Sequence, residues 1–247
     1  MSGQSKSGQS EHIVRAYSQE ITALRDKMAQ MGGLVEAQVA AAAAAIVHQD
    51  SAAATQAVEQ DPAVDALERE VESQVIRMLA LRQPMAQDLR QILSALKITS
   101  ALERIGDYAT NVAKRSIVLS QFSLPFSLAG IAHMTRLVQE NLKLVVDAVG
   151  DNDEAKAMQV WRSDQAVDDI YNAIFRELVT YMMEDPRNIT PCTHLLFIAK
   201  NLERIGDHAT NIAETIHYAV LGTAIPTSRP KGDSSPYAVV RQREGTE

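Results

Sequence analysis

Cysteine is almost absent: the chain carries one, Cys192, in 247 residues. An intrachain disulfide is therefore excluded, and so is a thiolate metal cage. Glycine and aromatic residues are scarce too, 11 of each, which disfavours an all-β chain, since such folds draw on glycine turns and aromatic strand residues. There is no basic excess: 24 Lys and Arg stand against 31 Asp and Glu, for a net charge of −7. That balance argues against nucleic acid as the main partner. P-loop, GxGxxG, GxSxG and HExxH patterns are all missing. Long apolar runs are missing as well. Residues 116–135 lack Asp, Glu, Lys and Arg, but they hold four Ser, a Gln, a His and Pro125, which would be costly to expose to lipid. The alanine run Ala40–Ala45 lies in an uncharged stretch of 13 residues, too short to span a bilayer. Met1–Ser10 has no apolar core of a signal peptide and reads as a disordered tail.

What is present is helical text with clear punctuation. Ile21, Leu24, Met28, Met31, Leu34, Val35 and Val39 recur at three- and four-residue spacing between about His12 and His48. Asp50 and Ser51 are N-cap candidates, and Asp61-Pro62 reads as a further helix start. From there Val64, Leu67, Val71, Val75 and Met78 form an apolar stripe that ends before Gln83-Pro84. A long helix is expected to about Ser120, then a connector around Pro125 and a helix to about Val149. After the Gly150–Asp153 break, helical text runs to about Met183, and the last helix ends at about Leu221, before Gly222. Thr223–Glu247, with three Pro, two Gly and little periodicity, reads as a disordered tail.

The second half repeats the first. A shift of 103 residues superposes residues 31–81 on 134–184 with 12 identities in 51. A shift of 100 superposes Leu102–Ala113 (LERIGDYATNVA) on Leu202–Ala213 (LERIGDHATNIA) with ten of twelve. This is an internal duplication. It predicts an all-α fold of two pseudo-symmetric three-helix bundles, residues 11–120 and 121–222, each with a long, a broken and a long helix.

The doubled segment carries the chemistry. Glu103 and Asp107 are four residues apart, as are Glu203 and Asp207, so each pair shares a helix face about 5–6 Å apart at Cβ. Asn111 and Asn211 follow one turn later. Paired like charges weaken a helix, and Gly106 and Gly206 each cost roughly 1 kcal/mol relative to Ala. Matching penalties in both halves point to a function. A carboxylate pair holds a cation, and oxygen-only ligands favour Mg, Mn or Fe over a thiol-bound Zn. Two ligands do not complete a site, so the preceding helix must contribute: Asp65 with Glu68 in one half, Asp168 with Asp164 in the other. The competing reading is an intrahelical ion pair on a solvated face, since Arg104 and Arg204 each lie three residues before the Asp. Cys192 follows Pro191 near a helix start, a place that can lower a thiol pKa, although a passive thiol is the simpler reading.

The doubled ERIGD motif resembles the E(D)XXXD signature of the PhoU family of phosphate-transport accessory and phosphate-signalling regulators. MGGLVEAQV at Met31–Val39, RQPMAQDLR at Arg82–Arg90 and YMMEDPRNI at Tyr181–Ile189 extend the resemblance, which spans about Tyr17 to Leu221. It implies six main helices in two pseudo-symmetric bundles, a homodimer and, as in some members, metal on the motif surface. The implied ligands are Glu103, Asp107, Glu203 and Asp207, with Asp65 and Asp168 in support, and the metal (Mg, Mn, Fe or Zn) is left open. It further implies a non-enzymatic cytoplasmic repressor of the phosphate-starvation response, linking the ATPase of the phosphate ABC transporter to a sensor histidine kinase without entering the membrane. An acidic face repels a bare phosphate ion, so any phosphate contact there would need a bridging metal. A ferritin-like metal oxidoreductase is the enzymatic rival, yet such sites use Glu-x-x-His, and neither Glu103 nor Glu203 has His three residues on. A plain helical scaffold with solvated acidic patches is the third reading.

Overall fold

The computed structural model describes residues 4–226 apart from Gln83, with side-chain surroundings from Ser18 onward. Six long helices follow one another: α1 (Gln4–Val47), α2 (Ser51–Arg82), α3 (Ala86–Leu119), α4 (Ala129–Asp151), α5 (Glu154–Glu184) and α6 (Ile189–Leu221). A short 3-10 turn, Pro186–Asn188, leads into α6. α1, α2 and α3 pack together as one bundle, and α4, α5 and α6 as the other. The halves meet through α3 against α6 and α1 against α4.

Local chemistry sets several helix ends. The Asp50 carboxylate accepts from the backbone N–H of Ala52 (2.9 Å) and Ala53 (3.1 Å), capping α2. Its duplicate Asp153 accepts from Lys156 N at 3.1 Å and caps α5. Asn152, with φ 54°, turns the chain between α4 and α5, and Gly222, with φ 74°, closes α6. The stripe Val64, Leu67, Val71, Val75 and Met78 is buried, as are Met31, Val35, Met134 and Val138 of the leading helices.

Three expectations change. α1 begins at Gln4, so residues 4–10 belong to a helix and not to a tail; residues 1–3 and 227–247 lie outside the described residues. Asp61-Pro62 starts no helix: α2 is continuous from Ser51 through Pro62. A mid-helix proline removes one backbone bond, the one to Val58 O, and the helix nonetheless runs on; one residue earlier Ala57 O also accepts from the Gln38 side chain of α1 at 3.0 Å. The Asp61 side chain is likewise taken by tertiary partners instead of a helix end. Among the described residues, Ser18–Val47 is the one stretch long and apolar enough to cross a membrane, although its alanine run alone is not. Its apolar side, including Leu24, Met28, Met31 and Val35, is buried in the core, as expected for the inner helix of a bundle.

The Gly32 side of the Met31-Gly32-Gly33 step is a close approach. A Cβ on Gly32 would stand 2.6 Å from Val146 Cγ1 of α4, whereas one on Gly33 would meet nothing within 4 Å. The missing side chain lets α1 reach α4 across the halves.

Candidate functional site: two acid-lined faces

Both motif helices turn their acids toward the preceding helix of their own half. On the first face, Asp61, Asp65 and Glu68 of α2 lie within electrostatic reach of Glu103 and Asp107 of α3. Burial pushes the Glu103 carboxyl up to about 7, with Asp107 and Glu68 adding to the rise and Arg104 opposing it. Burial likewise raises Asp107, with Asp61 next in weight, and raises Glu68, with Asp65 and Glu72 adding to it. Arg104 bridges the pair, its Nε 3.6 Å from Glu103 Oε2 and its Nη1 3.9 Å from Asp107 Oδ2. That contact is the intrahelical pairing weighed from the sequence. The guanidinium is more than half exposed, so water screens it and it offsets the acids weakly.

The second face is built from the same positions with a different balance. Glu203 is only 5% exposed, and burial raises its pKa despite a hydrogen bond from Lys200, with Asp207 and Asp168 adding to the rise. Lys200 Nζ donates to Glu203 Oε1 at 2.9 Å and stands 4.9 Å from the centre of the Tyr171 ring. The other oxygen, Glu203 Oε2, is buried without a hydrogen-bond partner. Arg204 donates across the seam between halves to the Tyr108 hydroxyl at 3.3 Å, and the Tyr108 and His208 rings lie 5.6 Å apart. Asn111 and Asn211 are exposed one turn on.

Behind each face is a buried polar tie that the sequence reading missed. Gln38, fully buried, donates to Asp61 Oδ1 at 3.1 Å and to Thr110 Oγ1 at 2.9 Å. Thr110 in turn donates to Asp61 Oδ1 at 3.0 Å. This knot joins α1, α2 and α3 directly under the acids. Gly106 makes room for it, since a Cβ there would lie 2.9 Å from Gln38 Oε1. In the second half Thr210 donates to Asp164 Oδ1 at 3.0 Å, while Asn141, in the place of Gln38, accepts from Ser163 at 2.8 Å. The signal was available: Thr110 and Thr210 sit inside the twelve-residue repeat, and Asp61 and Asp164 are identities of the longer one.

Other side chains that could carry chemistry are engaged elsewhere. His217 Nδ1 lies 2.8 Å from Glu154 Oε1, and His194 is 3.5 Å from Arg115. Cys192 is buried, which pushes its thiol pKa up and not down. Among the described residues, no three of His, Cys, Asp and Glu converge on a point that would hold a metal ion. Carboxylate oxygens are the donor type that hard cations take, and those of the first face lie close enough to raise one another's pKa.

The Glu103 shift sets a pH dependence. Its folded-state pKa, about 7, lies above the ordinary 4.5, so folding disfavours ionisation and stability falls as pH rises through that window. Glu103→Gln cannot ionise and is expected to be more stable than wild type at pH 8 by about 1 kcal/mol, after discounting for solvent screening. Near pH 5 the two should melt together. Thermal melts at both pH values check this, and equal melting at pH 8 would contradict it.

A twice-used three-helix unit with an acid-lined face in each copy defines a duplicated helical-bundle protein. The PhoU domain matches residues 28–116 and again residues 131–216. The chain is 50% identical over 224 residues to the phosphate-specific transport system accessory protein PhoU homolog of Caulobacter vibrioides (strain NA1000 / CB15N), covering 90% of this chain and 97% of that one. It is similar to the crystal structure of PhoU from Pseudomonas aeruginosa, with a TM-score of 0.82 and 42% identity over 84% of this chain and all of that one. The phosphate transport system regulatory protein PhoU from Streptococcus pneumoniae is similar too, with a TM-score of 0.78 and 26% identity over 85% of this chain and all of that one. The chain belongs to the PhoU family, and is a phosphate-transport accessory and regulatory protein rather than an enzyme.

Proposed function

We propose that this protein represses phosphate-starvation signalling and modulates the phosphate ABC transporter when phosphate is plentiful. It acts from the cytoplasm as a helical adaptor between the transporter ATPase and a phosphate-sensing histidine kinase, and works as a homodimer. The observation that carries the reading is that duplicated acids, Glu103 and Asp107 with Asp65 and Glu68, and Glu203 with Asp207 and Asp168, lie within electrostatic reach of one another along two faces of a PhoU frame. A face that holds several carboxylates together at raised pKa is poised to bind positive charge: a basic patch on a partner, or a hard cation that then faces a partner's anionic group. Glu103, Asp107 and Asp65 are the donors for such a cation in the first half, and Glu203, Asp207 and Asp168 are their sequence equivalents.

A phosphate-starvation promoter reporter in a strain lacking this gene tests the assignment. Derepression in excess phosphate, reversed by the wild-type gene, is the expected result. Alanine at Glu103, Asp107, Glu203 and Asp207 should leave the promoter derepressed and weaken co-purification with the ATPase and kinase. Full repression by that variant, folded as judged by circular dichroism, would remove the acid faces from the mechanism.

A further inference from the structure

The two acid faces descend from one unit, so each position in one has a counterpart in the other, and the differences between them are informative. At a shift of 103, Glu68 becomes Tyr171; at a shift of 100, Ser100 becomes Lys200. Both exchanges fall at the site and move charge the same way; a third, Arg69 to Asn172, moves it the other way, but at an exposed side chain on the rim of the first face. The first face sets five carboxylates, Asp61, Asp65, Glu68, Glu103 and Asp107, against the Arg104 guanidinium and the outlying Arg69, 4.0 Å from Asp65 and more than two-thirds exposed. The second sets Asp164, Asp168, Glu203 and Asp207 against both the Arg204 guanidinium and the Lys200 ammonium.

Lys200 brings its ammonium to the carboxylates of the second face. Its Nζ is 2.9 Å from the buried Glu203, and the Tyr171 ring, standing where Glu68 stands in the other half, lies 4.9 Å beneath it. An aromatic ring attracts an ammonium but offers no σ-donor oxygen from its face to a metal. The exchange of Glu for Tyr thus withdraws a metal ligand and installs a support for an organic cation. Lys200 reaches its partner from one turn away on the same helix, so it is held at the site by the backbone.

We propose that the two faces are unequal, Lys200 on its Tyr171 support filling the second with a tethered ammonium that keeps divalent cations out and confines cation binding to the first. The asymmetry gives a duplicated protein two different surfaces, one recruiting its counter-charge from outside and one carrying it. The inference rests on the reading that the first face takes a cation, and the experiment separates the two.

Mn²⁺ is titrated into the purified full-length protein and free Mn²⁺ is read by electron paramagnetic resonance. Wild type is expected to take one ion per chain. The variant K200S/Y171E, which restores the first-half residues in the second half, is expected to take two, its new site at least about a hundredfold tighter than any second site in wild type. The reverse transplant, E68Y/S100K, alters exposed and half-buried positions of the first face and is expected to lose binding there, which keeps the idea testable if K200S/Y171E folds poorly. Two equal sites in wild type would overturn the inference while leaving cation binding intact. No ion in wild type but one in K200S/Y171E would support the lysine's role and remove the first-face reading. No gain on removing the lysine overturns the inference outright.

Discussion

Gln38→Leu is expected to lose about 3 kcal/mol of stability, which for a chain of this size lowers Tm by about 6–12 °C. The side chain is fully buried and its amide N–H groups serve Ala57 O, Asp61 Oδ1 and Thr110 Oγ1, all within 3.1 Å. Leucine fills a similar volume but donates nothing, so a carbonyl and a carboxylate are left short of partners in the interior. Removing one member of such a tie costs more than the bond is worth, because the groups left behind remain desolvated. Asn141→Leu, the matching change in the second half, is expected to cost only about 1 kcal/mol. Asn141 there accepts a single bond from Ser163, whose hydroxyl is also 2.8 Å from Val160 O. Chemical denaturation of the two variants gives the comparison. Equal losses would show that the polar tie of the first half holds nothing that the second lacks.

Lys200→Ala is expected to destabilise by about 2–3 kcal/mol at pH 7.5, and by much less at pH 5. Breaking a buried pair leaves a charge without its partner, although the part-exposed ammonium calls for a smaller figure than a fully buried one. The sign follows from Glu203, whose folded-state pKa is raised above 4.5, burial being the main cause and Lys200 the main restraint. Without the lysine it rises further. The unfolded state then releases the proton at lower pH than the folded one, so the loss grows as pH increases and fades as Glu203 becomes protonated. Adding Glu203→Gln to Lys200→Ala should restore most of the stability at pH 7.5, since the neutral amide needs no counter-charge. Melts of the single and double variants at the two pH values decide it: a loss independent of pH would mean that Lys200 acts through packing.

The same residues mark what was legible in the sequence. Asp50, Asp153, Asp185 and Gly222 announce helix ends because a cap is a contact within a few residues of itself. Asp61-Pro62 looks like another such start and is none, because Asp61 answers to Gln38 and Thr110, which lie 23 and 49 residues away. Local text cannot report a partner at that distance. The duplication and the spacing of the motif carboxylates were readable for the same reason as the caps, both being regular along the chain. That Asp65 and Glu68 come within electrostatic reach of Glu103, and Asp168 of Glu203, depended on how two helices turn about their axes. Lys200 lay in plain view three residues before Glu203, yet its role emerged only with Tyr171 placed beneath it.

The two halves touch along α3 with α6 and again along α1 with α4, where Gly32 admits Val146. The seam therefore has the character of a dimer interface between two three-helix protomers that share one polypeptide. The chain between α3 and α4, residues 120–128, contributes proximity more than cohesion: it holds the partners at the millimolar effective concentration typical of short linkers. Duplication in this light replaced an equilibrium between subunits with a permanent pair. Once the pair was permanent, its members no longer had to remain identical, and Glu68 and Ser100 of one acid face could stand opposite Tyr171 and Lys200 of the other.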